Sequence, residues 1–447
     1  MKKNVWYRGV IVVGLLAIAQ TANADWQKID SLNSYSYITC FAASGTNIFA
    51  GTSKSGVFLS TDNGATWNPV NSGLGMWDTA SGYYDPITSL TICGTNIFAG
   101  ASYYGIFRST DNGASWTPVD SGVPKNSNVS FPYFEILSLA VNGTNIFAGT
   151  NGGGIIRSND NGASWTPVDS GLSKTEYGWP TNFYALAVSG TKIFAGGDDG
   201  VFLTADSGAS WTRADSGLTN KPTMISSFAV SGSSLFAGTG YPGGSNVGVF
   251  LSTNNGGIWT PIDSGLPSKT TSVVSLAVSE TTVFAGTNQN GVFLTNNNGT
   301  NWVSFNSGLG TTSFPAVYSL AVIGTNLFAG TKSGYGVSYV FRRPLSEIVN
   351  NLPSKPQAIP LQTKLNVSAF VTAQAGIKVN YSLASRCKVG LGIYTIAGEK
   401  LVSLEQGEQA PGTFSVSLPA DKIQAGLYIC RFQAGSCREN ALVRVMK

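Results

Sequence analysis

The sequence contains no histidine among its 447 residues. This absence excludes a Ser-His-Asp or Cys-His nucleophile and every metal site that depends on imidazole ligands. Any catalysis would depend on carboxylates, tyrosine or lysine. We expect no metal site and no cofactor.

Charge is also scarce, since only 11% of the residues are Asp, Glu, Lys or Arg. Three of the basic residues precede the apolar run Gly9–Ala19, and the small-residue pattern Ala22-Asn23-Ala24 follows it. This order is typical of a signal peptide over residues 1–24, and the run is too short for a stable membrane span. Its removal leaves 24 basic and 23 acidic residues, a balance that does not favour a nucleic-acid partner. The sequence predicts an exported protein, secreted or held at the cell surface.

The five cysteines are an odd number, so at least one has no partner within the chain. They are Cys40, Cys93, Cys387, Cys430 and Cys437. Cys40 and Cys93 fall in equivalent strands but four positions apart, which argues against a bridge between them. Cys430 and Cys437 would share one face of a hairpin if Ala434-Gly435 formed its turn, and their pairing stays open.

What the sequence does have is a repeat. A seven-residue segment of the type TNIFAGT recurs seven times, at intervals of 42 to 49 residues. The copies begin at Thr46, Thr95, Thr144, Thr191, Ser233, Thr281 and Thr325. Each unit contains four short stretches of strand composition, separated by Gly, Asn or Asp turn signals. Four strands in a unit of this length are typical of a β-propeller blade.

The seventh unit lacks a fourth strand, and the missing sequence is found at the other end of the chain. The segment Trp26–Leu32 matches the outer strands of the other units. We expect it to complete the last blade, which would close the ring without an exposed edge. The sequence predicts an all-β fold, with a seven-bladed propeller over residues 25–345.

A second motif, Ser/Thr-x-Asp/Asn-x-Gly-x-x-Trp, lies between the third and fourth strands of six units, and we call it the box. Its third positions are Asp62, Asp111, Asp160, Asp206, Asn254 and Asn297. Because an amide can replace a carboxylate as an acceptor but not as an acid, this exchange indicates a structural role. The box resembles the Asp-box (BNR-like repeat) of sialidases, sortilin-type receptors, xyloglucan-active glycoside hydrolases and photosystem II assembly-factor-like propellers. The resemblance implies a structural turn on the face away from the functional site.

The loops expected on the opposite face vary in sequence and are rich in aromatic residues. Exposed Trp and Tyr rings can stack on sugar rings or anchor a protein partner. The candidate ligand-binding residues are Trp77, Tyr83, Tyr84, Tyr103, Tyr104, Tyr133, Tyr177 and Trp179. Phe131, Phe134, Tyr241 and Tyr335 lie in loops of the same kinds. The alternative is that these rings pack the longer loops onto the blades.

Carboxylates occur in the same loops. A pair about 5 to 10 Å apart could supply the acid and base of glycoside hydrolysis. The candidates are Asp78, Asp85, Glu135 and Asp199, and the alternative is that they are solvated surface charges. A sialidase would need an arginine triad, whereas Arg108 and Arg157 occupy equivalent columns and are typical of strand surface residues.

The chain after the propeller changes character. Residues 346–362 are rich in Pro, Asn and Ser and are typical of a linker. Residues 363–447 alternate apolar and polar positions, which predicts a small immunoglobulin-like β-sandwich. Their order of segments is similar to the C-terminal sorting domain of type IX secretion cargo. That resemblance implies the type IX secretion machinery as a partner, and the alternative is an accessory module without a sorting role.

Three functions agree with these observations. The first is a non-enzymatic propeller that binds a glycan or protein through its aromatic loops. The second is a carboxylate-dependent glycoside hydrolase. The third is an envelope assembly or scaffold factor.

Overall fold

A computed structural model describes residues 25–346 and 364–446, with gaps. The gaps are 31–35, 126–132, 177, 219–223, 241–247, 268–270, 310–314, 333–337, 368–369, 373–376, 384–385, 397, 411, 419–422, 425 and 435–436. The predicted signal peptide and nearly all of the predicted linker lie outside the described residues. The chain divides into two compact units, residues 1–350 and 351–447.

The first unit contains seven four-stranded antiparallel sheets, which we call blades 1–7. The described chain begins with β1 (Gln27–Asp30). Blade 1 comprises β2 (Ile38–Ser44), β3 (Asn47–Thr52), β4 (Val57–Ser60) and β5 (Asn68–Pro69), and a hairpin of β6 (Met76–Asp78) and β7 (Tyr83–Tyr84) follows. Blade 2 comprises β8 (Ile87–Cys93), β9 (Asn96–Ala101), β10 (Ile106–Ser109) and β11 (Thr117–Pro118). Blade 3 comprises β12 (Ile136–Asn142), β13 (Asn145–Thr150), β14 (Ile155–Ser158) and β15 (Thr166–Pro167).

The remaining blades repeat this order. Blade 4 comprises β16 (Phe183–Ser189), β17 (Lys192–Gly197), β18 (Gly200–Thr204) and β19 (Thr212–Arg213). Blade 5 comprises β20 (Ile225–Ser231), β21 (Ser234–Thr239), β22 (Gly248–Ser252) and β23 (Thr260–Pro261). Blade 6 comprises β24 (Val273–Ser279), β25 (Thr282–Thr287), β26 (Val292–Thr295) and β27 (Val303–Ser304). Blade 7 comprises β28 (Ala316–Ile323), β29 (Asn326–Lys332), β30 (Ser338–Pro344) and, as its outer strand, β1.

The blades form a closed ring. The inner strand of each blade contacts the inner strands of both neighbours, and β28 of blade 7 contacts β2 of blade 1. This arrangement is a seven-bladed β-propeller, and it confirms the predicted fold class. The blade 7 sheet has the order β1-β30-β29-β28, and Gln27 pairs with Arg342. The outer strand of blade 7 therefore comes from the segment matched in the sequence, although Ser31 and Leu32 lie outside the described residues.

The repeated FAG sequence has a packing reason. Phe and Ala of each second strand are fully buried, because this strand has a blade on either side. A Cβ atom on the glycine that follows would lie under 3.0 Å from the neighbouring blade, for example from Ile87 at Gly51 and from Ile136 at Gly100. The same crowding occurs at Gly330, which meets Ile38 across the closure of the ring. Glycine is needed at this column because the blades pack directly over it.

The boxes form tight turns held by side chains. In blade 2, Asp111 accepts hydrogen bonds from the Ser109 hydroxyl (2.8 Å) and from the Ser115 backbone (2.9 Å) and hydroxyl (2.6 Å). These bonds, first those from Ser115, lower the pKa of Asp111 to about 2. Asn112 and Gly113 both adopt positive φ, which Asn and Gly tolerate best.

Box tryptophans lie between neighbouring blades, and five of the six donate a hydrogen bond to the preceding blade. All six are buried: Trp67, Trp116, Trp165, Trp211, Trp259 and Trp302. The indole N–H of Trp116 donates to the Val70 carbonyl of blade 1 at 2.8 Å, and Trp165 donates to Val119 in the same way. Arg108 also crosses between blades, since it donates to the Asn161 carbonyl of the next box at 3.0 Å. The arginines expected on a strand surface therefore tie neighbouring blades together.

The second unit is a β-sandwich. Its strands are β31 (Lys364–Val367), β32 (Phe370–Thr372), β33 (Ile377–Leu383), β34 (Cys387–Thr395), β35 (Lys400–Gln409), β36 (Gly412–Leu418), β37 (Gly426–Ala434) and β38 (Cys437–Met446). One sheet has the order β31-β33-β36 and the other β32-β38-β37-β34-β35. Side chains of both sheets, among them Tyr381 and Phe432, form a common core.

The register of this unit corrects one expectation about the cysteines. Ala434 pairs with Cys437 and Cys430 pairs with Ala441, so the turn is not Ala434-Gly435. Cys430 is consequently four pairs away from Cys437, and its thiol is free and buried. Cys40 and Cys93 are also free, as their stagger indicated. Within the described ranges, none of the helices is both long and apolar enough to cross a membrane.

Candidate ligand-binding face

Two kinds of loop meet at the end of the ring opposite the boxes, and we call this end the loop face. One kind joins the second strand of a blade to its third, and the other joins successive blades. The two are bonded together: the backbone N–H of Ser53 donates to the Tyr37 carbonyl at 2.9 Å, and that of Asn151 to the Glu135 carbonyl at 2.9 Å. Ser102, Asp198, Gly240 and Asn288 repeat this bond in other blades. Among the described residues, backbone bonds thus brace the two kinds of loop against each other in six blades.

Blades 1–4 carry the longer connections between blades. Residues 70–86, 119–135 and 168–182 link these blades, whereas the later links are 214–224, 262–272 and 305–315. Each of the three longer links doubles back in antiparallel pairing: β6 with β7, Lys125 with Tyr133, and Lys174 with Pro180. The loop face is therefore asymmetric, with three hairpins on one side of the ring.

The first hairpin presents Trp77. This side chain is 39% exposed, and its ring is nearly parallel to that of Tyr83, with centroids 6.1 Å apart. The Lys54 ammonium lies 4.9 Å from the centre of the Tyr83 ring, a cation–π contact. Tyr83 therefore packs against the exposed indole, and Lys54 contacts the Tyr83 ring.

The third hairpin presents Trp179, which is 51% exposed. Its backbone carbonyl accepts from the N–H of Thr175 at 2.7 Å, and its ring contacts Phe134 with centroids 6.2 Å apart. The hairpin closes on itself and leaves the indole in solvent. Tyr177 of the same hairpin lies outside the described residues, as do Phe131, Tyr241 and Tyr335.

Four more of the predicted binding residues are partly buried, and three of them pack against neighbouring blades. Tyr84 and Tyr104 pack against the core of blade 2, and the Tyr104 hydroxyl reaches the Met76 carbonyl at 3.4 Å. Tyr133 packs against blade 3 and donates to Asp120 at 2.5 Å, a bond that raises the pKa of Tyr133 to about 12. The backbone N–H of Tyr103 donates to Asp85. The contacts of Tyr84, Tyr104 and Tyr133 agree with loop packing, the alternative considered from the sequence, and ligand binding by these residues stays a prediction.

The sequence did not single out the tyrosines at the start of the inner strands. Tyr37 and Tyr318 lie in blades 1 and 7, with ring centroids 5.0 Å apart, and the Lys332 ammonium sits 4.6 Å from the Tyr37 ring. A one-residue bulge interrupts the inner-strand pairing at Tyr318 and, in blade 4, at Tyr184. A bulge re-aims the side chain of the extra residue. In the sequence, these tyrosines are aromatic residues close to the small residues that recur in the inner strands. That contrast is the signal that could have identified them.

Glu135 is a carboxylate of the link between blades 2 and 3 that acts electrostatically on several of these groups. Its carboxylate accepts from the Ser102 hydroxyl at 2.9 Å and from the Asn151 amide at 3.2 Å. Burial raises the pKa of Tyr37 and of Tyr103, and the Glu135 charge adds to both shifts. Burial also raises the pKa of Tyr184 to about 12, together with the hydrogen bond it donates to Asp198 at 2.9 Å. Glu135 is therefore within electrostatic range of residues from blades 1, 2 and 4.

Asp85 is the most perturbed carboxyl group of the loop face. It is 1% exposed and accepts backbone N–H bonds from Tyr103 (3.1 Å) and Tyr104 (2.8 Å). Burial raises its pKa to about 7, although those N–H groups oppose the shift, and the Glu135 charge adds to it. A substrate could not reach this carboxyl group without movement of the Tyr103–Tyr104 loop.

The other two candidate carboxylates are held in local contacts. Asp78 accepts backbone N–H bonds from Ala80 (3.0 Å) and Ser81 (3.1 Å) in its own exposed turn, and bonds from Ser81 lower its pKa. Asp199 forms an ion pair with Arg213 and accepts from the Ser173 hydroxyl at 2.7 Å. In the part of the chain that the structure describes, no three Asp, Glu or Cys side chains gather as metal ligands.

Comparison with known proteins shows the fold and no family. No protein-family model and no curated protein matches the chain. Among solved structures, YCF48 from Cyanidioschyzon merolae is 13% identical, with a TM-score of 0.52 over 72% of this chain and 99% of that one. A YCF48 bound to a D1 peptide is 14% identical, with a TM-score of 0.53 over 72% and 96%. The GH74 xyloglucanase from Xanthomonas campestris is 14% identical, with a TM-score of 0.51 over 94% and 67%. At these identities the likeness is one of fold.

Proposed function

We propose that the protein is an exported, non-enzymatic β-propeller that binds a glycan or protein ligand through the loop face of blades 1–4. The observation that carries the proposal is the pair of ordered, solvent-exposed tryptophans, Trp77 and Trp179, on two of the three long hairpins. A ring already held by its neighbours loses little conformational entropy on binding. Large apolar faces kept in solvent by such bracing are typical of binding surfaces.

The state of the carboxylates favours binding over hydrolysis. A glycosidase needs two carboxyl groups that flank the scissile bond. Asp85 is buried, Asp199 is ion-paired, and Asp78 caps its own turn. Glu135 is the remaining candidate, and it already accepts two hydrogen bonds from side chains. One protein of similar fold is bound to a peptide and another is a xyloglucanase, so we keep both ligand classes.

The test measures binding to soluble oligosaccharides and to candidate surface proteins by calorimetry. Trp77→Ala and Trp179→Ala should each weaken binding at least several-fold with little change in melting temperature. Ile258→Ala is the matched control, because Ile258 is 56% exposed but belongs to a box on the opposite face. Equal loss of affinity in Ile258→Ala, or none in the tryptophan variants, would refute this assignment of the face.

A glycoside hydrolase is the second candidate, favoured by one observation. Asp85 has a pKa near neutrality and lies within electrostatic range of Glu135, a combination typical of an acid–base pair. Release of reducing ends from a bound oligosaccharide, abolished in Glu135→Gln and in Asp85→Asn, would favour this function over simple binding. Binding without release supports the first proposal. Proteins that co-purify from the envelope, with no response to sugar, would support an assembly or scaffold factor instead.

Export belongs to the same proposal. The signal-peptide pattern of residues 1–24 and the similarity of residues 363–447 to type IX sorting domains support delivery to the cell surface or medium through that machinery. Fractionation of cells that express the full chain should place it outside the inner membrane. Removal of residues 363–447 should retain the propeller in the periplasm, and unchanged secretion would contradict a sorting role.

A further inference from the structure

Six of the seven joints between blades contain the same hydrogen bond. The indole N–H of a tryptophan donates to a backbone carbonyl of the preceding blade at 2.5 to 2.8 Å. The donors are Trp26, Trp116, Trp165, Trp211, Trp259 and Trp302. Trp26, the residue before β1, thus occupies in blade 7 the place that box tryptophans occupy in blades 2–6.

The seventh joint, between blade 7 and blade 1, lacks this bond. Trp67 is the equivalent donor, and its indole nitrogen is buried without a hydrogen-bond partner. An unpaired buried donor is destabilising, because folding removes its hydrogen bond to water and nothing replaces it. The tryptophan hydrogen bond therefore stabilises six of the joints between neighbouring blades but not the joint between blades 7 and 1.

A register shift in β1 explains the missing bond. In blade 1, Asn68 and Pro69 pair with Leu59 and Phe58, and Val70 continues the ladder by donating to Val57. The Val70 carbonyl is then free to accept from Trp116 of blade 2.

In blade 7 the same series is displaced by one residue. Gln27 and Lys28 pair with Arg342 and Phe341, but the next pair is Asp30 with Val340. Ile29, which occupies the position of Val70, is left out of the ladder, and its carbonyl does not meet Trp67. A bulge of this kind weakens pairing locally and bends the strand.

Other contacts still close the joint. Arg342 donates to the Asn63 carbonyl of the first box at 2.9 Å, and Phe41 contacts Phe328 with ring centroids 6.1 Å apart. These contacts belong to β30, β29 and blade 1, so most of the closure does not depend on β1. Release of β1 would break its own short ladder and the Trp26 contacts while leaving the inner strands in place.

The slot that β1 fills is specific. Trp26 is 3% exposed, its indole donates to the Phe305 carbonyl at 2.6 Å, and its backbone N–H donates to the Ser307 carbonyl at 2.9 Å. A strand that leaves this slot exposes the edge of β30, and an unpaired edge binds another strand. The segment that fits both the edge and the tryptophan site is β1 itself, from the same chain or from another copy.

We propose that blade 7 is a strand-exchange site, whose open edge accepts β1 of a second copy of this chain. Among the described strands of the propeller, β1 alone pairs with a partner more than 300 residues away in sequence, so a copy in trans can supply it without altering the other blades. Exchange of a short terminal element in this way is a low-cost route to dimers.

Two variants of the full chain test the proposal, each with one introduced cysteine in a background whose five native cysteines are replaced by alanine. Gln27→Cys and Arg342→Cys form a register pair in blade 7, whereas Thr117→Cys and Arg108→Cys form the matched pair in blade 2. Each arginine change also removes a hydrogen bond to the backbone carbonyl of a neighbouring box, so both pairs of variants lose a bond of the same kind. Equimolar mixtures are incubated, oxidised and resolved without reductant.

We expect a disulfide-linked heterodimer from the blade 7 pair at several times the yield from the blade 2 pair. Equal yields would overturn the proposal. Hydrogen exchange on the unaltered chain gives a second measurement that does not depend on the variants. The amides of residues 26–30 should exchange at least tenfold faster than those of residues 302–306, the equivalent segment of blade 6, and equal protection would likewise overturn it.

Discussion

The two faces of the propeller are built from the same repeat but differ in what varies. On the box face, six turns share an acceptor at the third position, to which the first-position hydroxyl donates, and a buried tryptophan at the eighth. On the loop face, connections of different length carry Trp77, Trp179 and the groups around Glu135. Uniform turns define the geometry of the ring, so the opposite loops are free to differ without loss of the fold.

A comparison within the box face shows how tightly its chemistry is matched. Where the third position is aspartate, the seventh is Thr66, Ser115, Ser164 or Ser210, and its hydroxyl donates to the second carboxylate oxygen. Where the third position is Asn254 or Asn297, the seventh is Ile258 or Asn301, and the seventh residue donates to the amide oxygen only through its backbone N–H. That oxygen also accepts from the first-position hydroxyl, as it does in the aspartate boxes. A seventh-position hydroxyl that donates to the third residue is therefore found only where that residue has a second acceptor oxygen.

The largest effect should separate buried from exposed tryptophans. Trp165→Ala removes a side chain that is 2% exposed and an indole bond to blade 2, so it should lower the free energy of unfolding by about 3 to 5 kcal/mol. Trp179→Ala should change it by less than about 0.5 kcal/mol. Denaturant unfolding of both variants measures the two changes in the free energy of unfolding. Similar changes would contradict the distinction between structural tryptophans of the boxes and exposed tryptophans of the loop face.

A second prediction sharpens the loop face and depends on pH. Because the folded-state pKa of Asp85 is raised to about 7, the protonated form stabilises the fold below the unfolded pKa of about 4, and this stability is lost as pH rises through 7. Asp85→Asn keeps an acceptor oxygen for Tyr103 and Tyr104 but cannot ionise. Between pH 4 and pH 8 the native protein should lose on the order of a few kcal/mol relative to this variant. If the melting temperatures of the native protein and of Asp85→Asn change equally with pH across that range, the pKa of Asp85 is not raised in the folded protein.

A third prediction contrasts two aspartates that both cap turns. Asp111→Ala removes the acceptor for three bonds within a box and should lower the melting temperature by several degrees at pH 7. Asp78→Ala, in a loop-face turn, should lower it by about 1 °C or less. Since the pKa of Asp111 is lowered to about 2, its contribution is present above the unfolded value and disappears as pH falls through 2. Equal shifts in the two variants would contradict the special role of the boxes.

The smallest effect tests the matching inside the boxes. Asp111→Asn should be milder than Asp111→Ala, because the amide oxygen still accepts from the Ser115 backbone while the Ser115 hydroxyl loses its partner oxygen. Asn254→Asp should give no gain, since Ile258 has no hydroxyl to donate. Calorimetric melting of the two exchanges checks this order, and a stabilised Asn254→Asp would refute it.

Much of the fold could be predicted because the same local pattern occurs seven times. The number of blades and the outer strand at Trp26 could be predicted from the copies of FAG and of the box. Each copy indicates separately where a strand lies and where a turn follows it. The loop face could not be predicted so well, because each of its loops occurs once. Composition predicts Tyr104 and Tyr133 as binding residues, and the structure shows that both rings also pack against the blades, which composition does not indicate. Tyr37 and Tyr318 come together only through ring closure, which no local pattern encodes.

The glycine column of the second strands has a consequence for the ring as a whole. Each glycine allows one blade to pack closely on the next at a fixed angle, and the seven angles between neighbouring blades must add up to a full circle. If every angle deviates slightly in the same direction, the deviations add up around the ring and must be accommodated where blade 7 meets blade 1. The one-residue slip at Ile29 lies in that final blade, in the one outer strand that is not continuous in sequence with its own sheet. The blades thus repeat one packing geometry, and the irregular strand pairing is found in the blade that closes the ring.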